Sequence, residues 1–221
     1  MSDGKQTLTY QQVAAESGLD DWRYLYDKLH ARFVTGSFAA GVALVDRIGA
    51  AADAADHHPD VTLTYPRVDV VLWSHDVRGV TSRDLDLART ISGYAAEAGH
   101  ESRPGEPATI EIALDVPSYE EVQPFWAAVL GYEPSPHEVL DPHGVNPALW
   151  FQTSPDATGE VAQRFHVDIR VAREVAEQRV RDAVAAGGTL VSAERAPAFW
   201  VLADAHGNQV CVCTADGRSS S

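Results

Sequence analysis

The spacing of apolar residues in the first hundred positions predicts three helices. In SFAAGVALVDRIGAAADAADHH, apolar side chains recur at steps of three and four, which predicts a helix with Ser37 as its N-cap. The apolar face of this helix is predicted to hold Phe38, Val42, Val45, Ile48, Ala52 and Ala55. TSRDLDLARTISGYAAEAG predicts a second amphipathic helix, capped by Thr81 and with Asp84 at its third position. A shorter helix is predicted at TYQQVAAES, ending at Gly18.

Between these helices, alternation and β-branched residues predict strands. Strand material is expected in WRYLYDKLHARFVT, and two further strands are predicted at VTLTY and RVDVVLWSH. The first half therefore follows an α-β-β-α order with additional pieces, which places it in the α+β class.

The segment AGHESRPGEPAT contains two prolines, two glycines and several charges, which is the composition of a linker. It predicts a first domain at 1–99, a linker at 100–107 and a second domain at 108–214. Residues 215–221, which include the tract DGRSSS, are predicted to form a flexible tail.

The second half repeats one order of elements. A strand, TIEIALDV, is followed by the helix SYEEVQPFWAAVLG, which stops at Gly131, and by the strand ALWFQT. The order then recurs as the strand RFHVDIRV, the helix AREVAEQRVRDAVAAGG and the strands TLVSAE, FWVLAD and QVCVCT. We interpret this as an internal repeat of supersecondary structure rather than of sequence identity.

Composition narrows the class of protein. Hydrophobic residues make up 45% of the 221 residues and charged residues 22%, as in a typical globular protein. The net charge of −15, without a basic stripe, disfavours nucleic-acid binding. No apolar run predicts a membrane span, and the sequence shows no signal-peptide pattern. A disulfide between Cys211 and Cys213 is disfavoured by its geometry. The expected compartment is therefore the cytoplasm.

An adjacent histidine pair, His57 and His58, is the strongest chemical signal in the chain. Asp53 precedes His57 by four positions, so we expect the two side chains to share a helix face, where the carboxylate would orient the imidazole. Pro59 is expected to stop the helix, and His75 closes a strand. With Asp84, these residues form a plausible acid–base site, because imidazole titrates near neutral pH.

Simpler explanations remain open for each of these residues. A histidine at a helix end can serve only the helix dipole, and Asp84 can serve only as a cap. A metal site is disfavoured, because the side chains of adjacent histidines diverge and no Glu-x-x-His or cysteine pattern accompanies them.

The spacing of these residues resembles the signature of the pterin-4a-carbinolamine dehydratases. The matching positions are Asp53, His57, His58, Pro59, Tyr65, His75 and Asp84. The stretch SHDVRGVTSRDLDLA and the region around Trp22 also fit the family's pattern, so that the resemblance covers about residues 7–98. Many members have Glu at the position of Asp53, whose side chain is shorter by one methylene.

This resemblance implies an antiparallel sheet with helices on one face and a hydro-lyase that converts 4a-hydroxytetrahydropterin to quinonoid dihydropterin and water. It implies that His57 and His75 are acid candidates at the 4a-hydroxyl, and that His58 mainly holds the pterin. Asp53 and Asp84 would orient the imidazoles or bind the ring, with Pro59, Tyr65 and Trp73 as further binding residues. No metal or redox cofactor is implied. A homodimer or homotetramer and a functional link to an aromatic amino acid hydroxylase are implied.

The second half resembles the glyoxalase-like domains of the vicinal-oxygen-chelate superfamily over about residues 108–214. The strand and helix in IEIALDVPSYEEVQPFWAAVLGYEP, and the stretches HVDIRV and DAHGNQV, carry the resemblance. It implies two βαβββ modules, with metal-ligand positions at Glu111, His166, Gln152 and Cys211. Only Glu111 and His166 are suitable ligands, and both are weak candidates, so we expect a domain that binds a small molecule without tightly held metal.

Two other functions remain open. The protein can be a non-enzymatic binding or interaction module, or its second domain can carry a metal-dependent lyase or dioxygenase activity. The full set of acid–base residues favours the dehydratase, and the incomplete ligand set argues against the metal-dependent activity.

Overall fold

The structure is a computed structural model, and it describes residues 5–154, 157, 167–171 and 173–214. The chain divides into two compact units, Met1–Thr109 and Ile110–Ser221. Among the helices in the described part of the chain, none combines the length and apolar character that crossing a membrane requires.

The first unit is an antiparallel sheet with helices on one face. Its elements are α1 (Tyr10–Ala14), β1 (Arg23–Leu25), β2 (Lys28–Val34), α2 (Phe38–Ala55), β3 (Asp60–Thr64), β4 (Arg67–Leu72), α3 (Ser82–Glu97) and β5 (Glu101–Ser102). The strand order is β1-β2-β4-β3, and β5 also pairs with β2. Alternate residues of β2 and β4 are buried, and they share one core with the buried faces of α2 and α3.

The path of the chain differs from the predicted one at two places in this unit. The strand material before α2 is a hairpin of β1 and β2, because Tyr26 and Asp27 both adopt positive φ and form a two-residue turn. Part of the predicted linker, Glu101–Ser102, is the strand β5.

The buried face of α2 also differs from the predicted one. The core side holds Gly41, Leu44, Ile48 and Ala52, whereas Phe38 and Val42 are 54% and 48% exposed. Gly41 explains the difference, because a Cβ atom there would lie 2.4 Å from the Cδ1 atom of Leu63. The helix therefore approaches β3 through a glycine, and its two largest N-terminal apolar side chains face away from the core.

The second unit consists of two modules of the same topology. The first contains β6 (Glu111–Val116), α4 (Tyr119–Leu130), β7 (Glu133–Ser135), β8 (Glu138–Leu140) and β9 (Ala148–Thr153). The second contains β10 (Val167–Arg170), α5 (Arg173–Ala185), β11 (Thr189–Ser192), β12 (Phe199–Ala203) and β13 (Gln209–Cys213). In each, the first strand pairs in parallel with the last, and the sheet orders are β6-β9-β8-β7 and β10-β13-β12-β11. The predicted βαβββ pairing is confirmed.

The two modules share a short sequence motif at one turn, so the repeat is not limited to supersecondary structure. The turn before β9 has the sequence DPHGVN and the turn before β13 has DAHGN. In both, the leading aspartate, Asp141 or Asp204, accepts bonds from the backbone N–H two residues later and from the backbone and side chain of the final asparagine. Asp204 also accepts the indole N–H of Trp126 at 3.0 Å, which ties α4 to the second module.

Candidate functional site

His57 lies just beyond the C-terminus of α2 and points into the protein. Asp56 adopts the left-handed conformation, and the backbone N–H of His57 donates to the carbonyl of Ala52 at 3.0 Å, which closes the helix. The side chain of His57 is 6% exposed, and its Nε2 atom lies 2.7 Å from Oδ1 of Asp84.

The expectation that Asp53 and His57 share a helix face is wrong. Asp53 is 81% exposed, and its Oδ1 atom lies 3.0 Å from Nε2 of His58, whose side chain is 60% exposed. The left-handed residue between helix and histidine turns His57 inward and His58 outward. Each histidine of the pair therefore has its own carboxylate, one buried and one exposed.

Asp84 is fully buried and accepts hydrogen bonds on both oxygens. Oδ1 faces His57, while Oδ2 accepts from the backbone N–H of Thr81 at 2.7 Å and from the hydroxyl of Ser74 at 2.7 Å. Asp84 thus accepts from the backbone of Thr81, the N-cap of α3, and also holds an imidazole. A buried carboxylate is stable only when such donors replace its water.

The Asp84 contact fixes the tautomer of neutral His57. A carboxylate accepts hydrogen bonds and does not donate them, so the proton of the neutral ring lies on Nε2. The lone pair is then on Nδ1, which leaves one defined atom to take or give a proton.

His75 has a different environment, made of aromatic and charged side chains rather than a partner carboxylate. Its exposed ring packs against Trp73, with ring centroids 4.1 Å apart and planes tilted by 38°. The indole N–H of Trp73 donates to Oδ2 of Asp60 at 3.2 Å, and the ammonium of Lys28 lies 4.3 Å from the centroid of the indole ring.

The structure brings most of the predicted site residues into one region. His57 contacts Asp84, Asp84 contacts Ser74, and Ser74 is the neighbour of His75 in the chain. His58 with Asp53 follows His57 directly, and Pro59 leads into β3.

Tyr65 does not join this region. It lies at the turn between β3 and β4, is 70% exposed, and is separated from Asp60 by the length of β3. Five residues of strand span roughly 17 Å. The resemblance implies Tyr65 as a binding residue, but β3 carries it to the other end of the hairpin.

Sequence analysis missed three residues that belong to the site. Ser74 and Thr81 contribute buried hydroxyls to Asp84, and Lys28 reaches Trp73 from the neighbouring strand β2. The two hydroxyls gave a weak signal in the sequence, since Ser74 directly precedes His75 and Thr81 is the N-cap of α3. Lys28 gave none, because its proximity depends on the pairing of β2 with β4.

In the second unit, strand register separates the predicted metal-ligand positions. Gln152 pairs with Asp115, four residues along β6 from Glu111, which is a separation of roughly 13 Å. The pairs Ile112–Leu149 and Val167–Val210 are equivalent in the two modules, so the position that corresponds to Cys211 is Trp150. The assignment of Gln152 is therefore corrected, and Trp150 offers no ligand atom.

The thiol of Cys211 does not readily form the thiolate that binds a metal ion. Burial, followed by the nearby charge of Asp168, raises the pKa of the Cys211 thiol to about 11. The fourth predicted position, His166, lies outside the described residues. Within residues 5–154, 157, 167–171 and 173–214, no three His, Cys, Asp or Glu side chains are grouped as a metal site.

Comparisons with known proteins match both units. A family model described as pterin 4 alpha carbinolamine dehydratase matches residues 6–94, and one described as a glyoxalase-like domain matches residues 111–213. A curated relative from Thermosynechococcus vestitus, provisionally named pterin-4-alpha-carbinolamine dehydratase, is 39% identical over 79 residues, which are 36% of this chain and 83% of the relative.

Two solved structures are also similar. A Brucella melitensis protein described as a transcriptional coactivator/pterin dehydratase has 29% identity and a TM-score of 0.39, covering 41% of this chain and 99% of that chain. A glyoxalase/bleomycin resistance protein/dioxygenase family enzyme from Burkholderia phytofirmans has 19% identity and a TM-score of 0.37, covering 47% of this chain and 95% of that chain.

Proposed function

Since the chain belongs to the pterin-4a-carbinolamine dehydratase family through its first unit, we propose that it is a hydro-lyase acting on a 4a-hydroxytetrahydropterin. The carrying observation is the buried His57–Asp84 pair, whose carboxylate also accepts a hydrogen bond from Ser74, the residue that precedes His75. Two imidazoles with separate environments supply the proton transfers that such a dehydration needs.

The proposed reaction removes water without any net oxidation. The C4a–O bond breaks as an imidazolium protonates the departing hydroxyl, and the N5 proton leaves to a base as the C4a=N5 bond forms. The products are quinonoid dihydropterin and water, so the balance requires no oxidant, reductant or cofactor.

The proposed roles are those that the resemblance implies, and the three environments support them. His57 and His75 are the acid candidates, His57 through its Nδ1 atom and His75 through its exposed ring. His58, oriented by Asp53 at the surface, would hold the pterin and share in proton transfer. Trp73 supports His75 by ring packing and adds a flat apolar surface beside it.

The direct test is the dehydration of 4a-hydroxytetrahydropterin by the purified chain near pH 7 without added metal. A rate clearly above the uncatalysed rate, proportional to protein concentration, is the expected result. A folded protein that leaves the uncatalysed rate unchanged would reject the hydro-lyase and favour the binding or interaction module.

For the second unit we propose a small-molecule binding role without tightly held metal. We expect elemental analysis of the dialysed full chain to find well below one equivalent of transition metal. The reason is the ligand set, since Trp150 offers no ligand atom and burial raises the pKa of the Cys211 thiol to about 11, so that a metal would have to displace the thiol proton. One equivalent of metal, abolished by Glu111→Ala or His166→Ala, would contradict this.

We also expect the chain to self-associate through its first unit. The strand β4 offers no free edge for this association, because it lies between β2 and β3 in the sheet. The exposed Phe38 and Val42 on α2 give a better reason, since a second copy would bury them. Light scattering at micromolar concentration should give a mass of two or four chains.

The substitution Phe38→Glu together with Val42→Glu should weaken this association. Val145→Glu is the matched control, because Val145 is also an exposed valine, at 82%, but lies in a turn of the second unit. A monomeric unsubstituted chain would refute the association, and equal masses for all variants would place it elsewhere.

A further inference from the structure

We propose that Ser74 is a positioning residue that sets the relative placement of His57 and His75 through Asp84. Its catalytic consequence rests on the proposed hydro-lyase activity, while its effect on His57 can be observed without any substrate. Ser74 itself is 1% exposed, so it does not contact a bound pterin directly.

The hydroxyl of Ser74 lies at the centre of a buried polar network. Its Oγ atom is 2.7 Å from Oδ2 of Asp84 and 2.8 Å from Oγ1 of Thr81. A serine hydroxyl has one proton, so if it donates to the carboxylate it must accept from Thr81. The Nε–H of Arg83 then donates to Thr81 at 3.4 Å, which gives one direction to the whole chain of donors.

Ser74 and Thr81 also bracket the loop that carries His75. The backbone N–H of Ser74 donates to the carbonyl of Gly79 at 2.9 Å, so the loop is closed by backbone bonding. The hydroxyl of Ser74 and the backbone N–H of Thr81 then attach both ends of the loop to Oδ2 of Asp84, each at 2.7 Å. Since Oδ1 of the same carboxylate holds His57, one buried group locates both acid candidates.

Removal of the Ser74 hydroxyl should weaken this hydrogen-bond network without removing every donor to Oδ2 of Asp84. Thr81 can turn its proton to Oδ2 of Asp84, 3.1 Å away, which compensates in part. The carboxylate loses its shortest side-chain donor on that oxygen, so its hold on His57 becomes less defined. The free energy of a hydrogen bond to a charged group corresponds to a factor of roughly 10 to 100 in an equilibrium constant. We expect kcat to fall by a factor of the same order in Ser74→Ala. KM should change by less than about threefold, because no pterin contact is removed.

The experiment combines kinetics with nitrogen NMR of the full chain labelled in its histidines. In the unsubstituted protein, His57 should show a single tautomer with its proton on Nε2, and Ser74→Ala should shift or broaden the nitrogen signals of that ring, because its hydrogen bond to Asp84 is less well positioned. Ser74→Thr, which keeps the hydroxyl, should restore both the nitrogen signals and kcat. Ser92→Ala is the matched control, since its hydroxyl accepts the Trp22 indole N–H at 3.0 Å elsewhere on α3.

The outcomes separate this inference from the proposed activity. If the unsubstituted protein is inactive but Ser74→Ala alone changes the His57 signals, the hydro-lyase fails and the positioning role stands. If the protein is active while Ser74→Ala retains its kcat and its His57 signals, the positioning role is overturned. If Ser74→Ala does not fold, Ser74→Cys applies the same criteria, because a thiol of similar size is a weaker donor.

Discussion

Substituting His57 or His75 with alanine is expected to reduce kcat for pterin dehydration by roughly 10²- to 10⁴-fold each, the usual contribution of one general acid–base group. His57 loses the Nδ1 atom that Asp84 leaves available, and His75 loses the ring packed on Trp73. The double variant should lose more than either single one if the two acids serve opposite faces of the ring. Initial rates near pH 7, with each 4a-hydroxy stereoisomer, measure this directly.

The control for this prediction is His100→Ala, because His100 belongs to the same unit but follows the C-terminus of α3. Its kcat should equal that of the unsubstituted chain. His58→Ala should mainly raise KM, since His58 is exposed and proposed to hold the pterin. Unchanged kcat in both His57→Ala and His75→Ala would remove these residues from catalysis.

The sequence located the histidine cluster because the required residues lie close together in two short segments. His57, His58 and the α2 terminus could be placed from the helical period and Pro59, and Asp84 from the start of α3. The partner of each histidine could not be placed, since it depends on the left-handed conformation of Asp56. A single residue of positive φ changes which side chain enters the core, and helical periodicity does not report it.

Long-range pairing explains the other differences. The distance of Tyr65 from the cluster follows from the length of β3, and the position of β4 inside the sheet follows from its pairing with β2. The buried face of α2 depends on the approach of Leu63 to Gly41. Each of these requires knowing which strand or helix lies beside which, and residue patterns within one segment do not contain that information.

In the second unit, the predicted ligand position could not be placed from the sequence, because it depends on strand register. The register puts Trp150, two residues before Gln152, at the position equivalent to Cys211. The strands β7 and β8 were also missed, because each has only three residues and shows no clear alternation.

Substitution of Asp84 by alanine is expected to lower the free energy of unfolding of the first unit by about 3–5 kcal/mol, as for other buried charged pairs that lose one partner. The hydroxyl of Ser74, the backbone N–H of Thr81 and the ring of His57 would all lose their acceptor inside the protein. For a unit of this size, such a loss lowers the melting temperature by roughly 12 °C or more. Calorimetry of the full chain should show the shift in one transition only.

Two variants distinguish burial from charge as the cause. Asp53→Ala removes a carboxylate that also pairs with a histidine, but at the surface, so the expected loss is below about 1 kcal/mol. Asp84→Asn keeps one oxygen for Ser74 and Thr81 but presents an amide N–H to His57, which must then accept at Nε2 and carry its proton on Nδ1. This variant should regain much of the stability of Asp84→Ala while its kcat stays low, because the available nitrogen no longer faces the reaction. A stable and fully active Asp84→Asn protein would show that the tautomer of His57 does not matter.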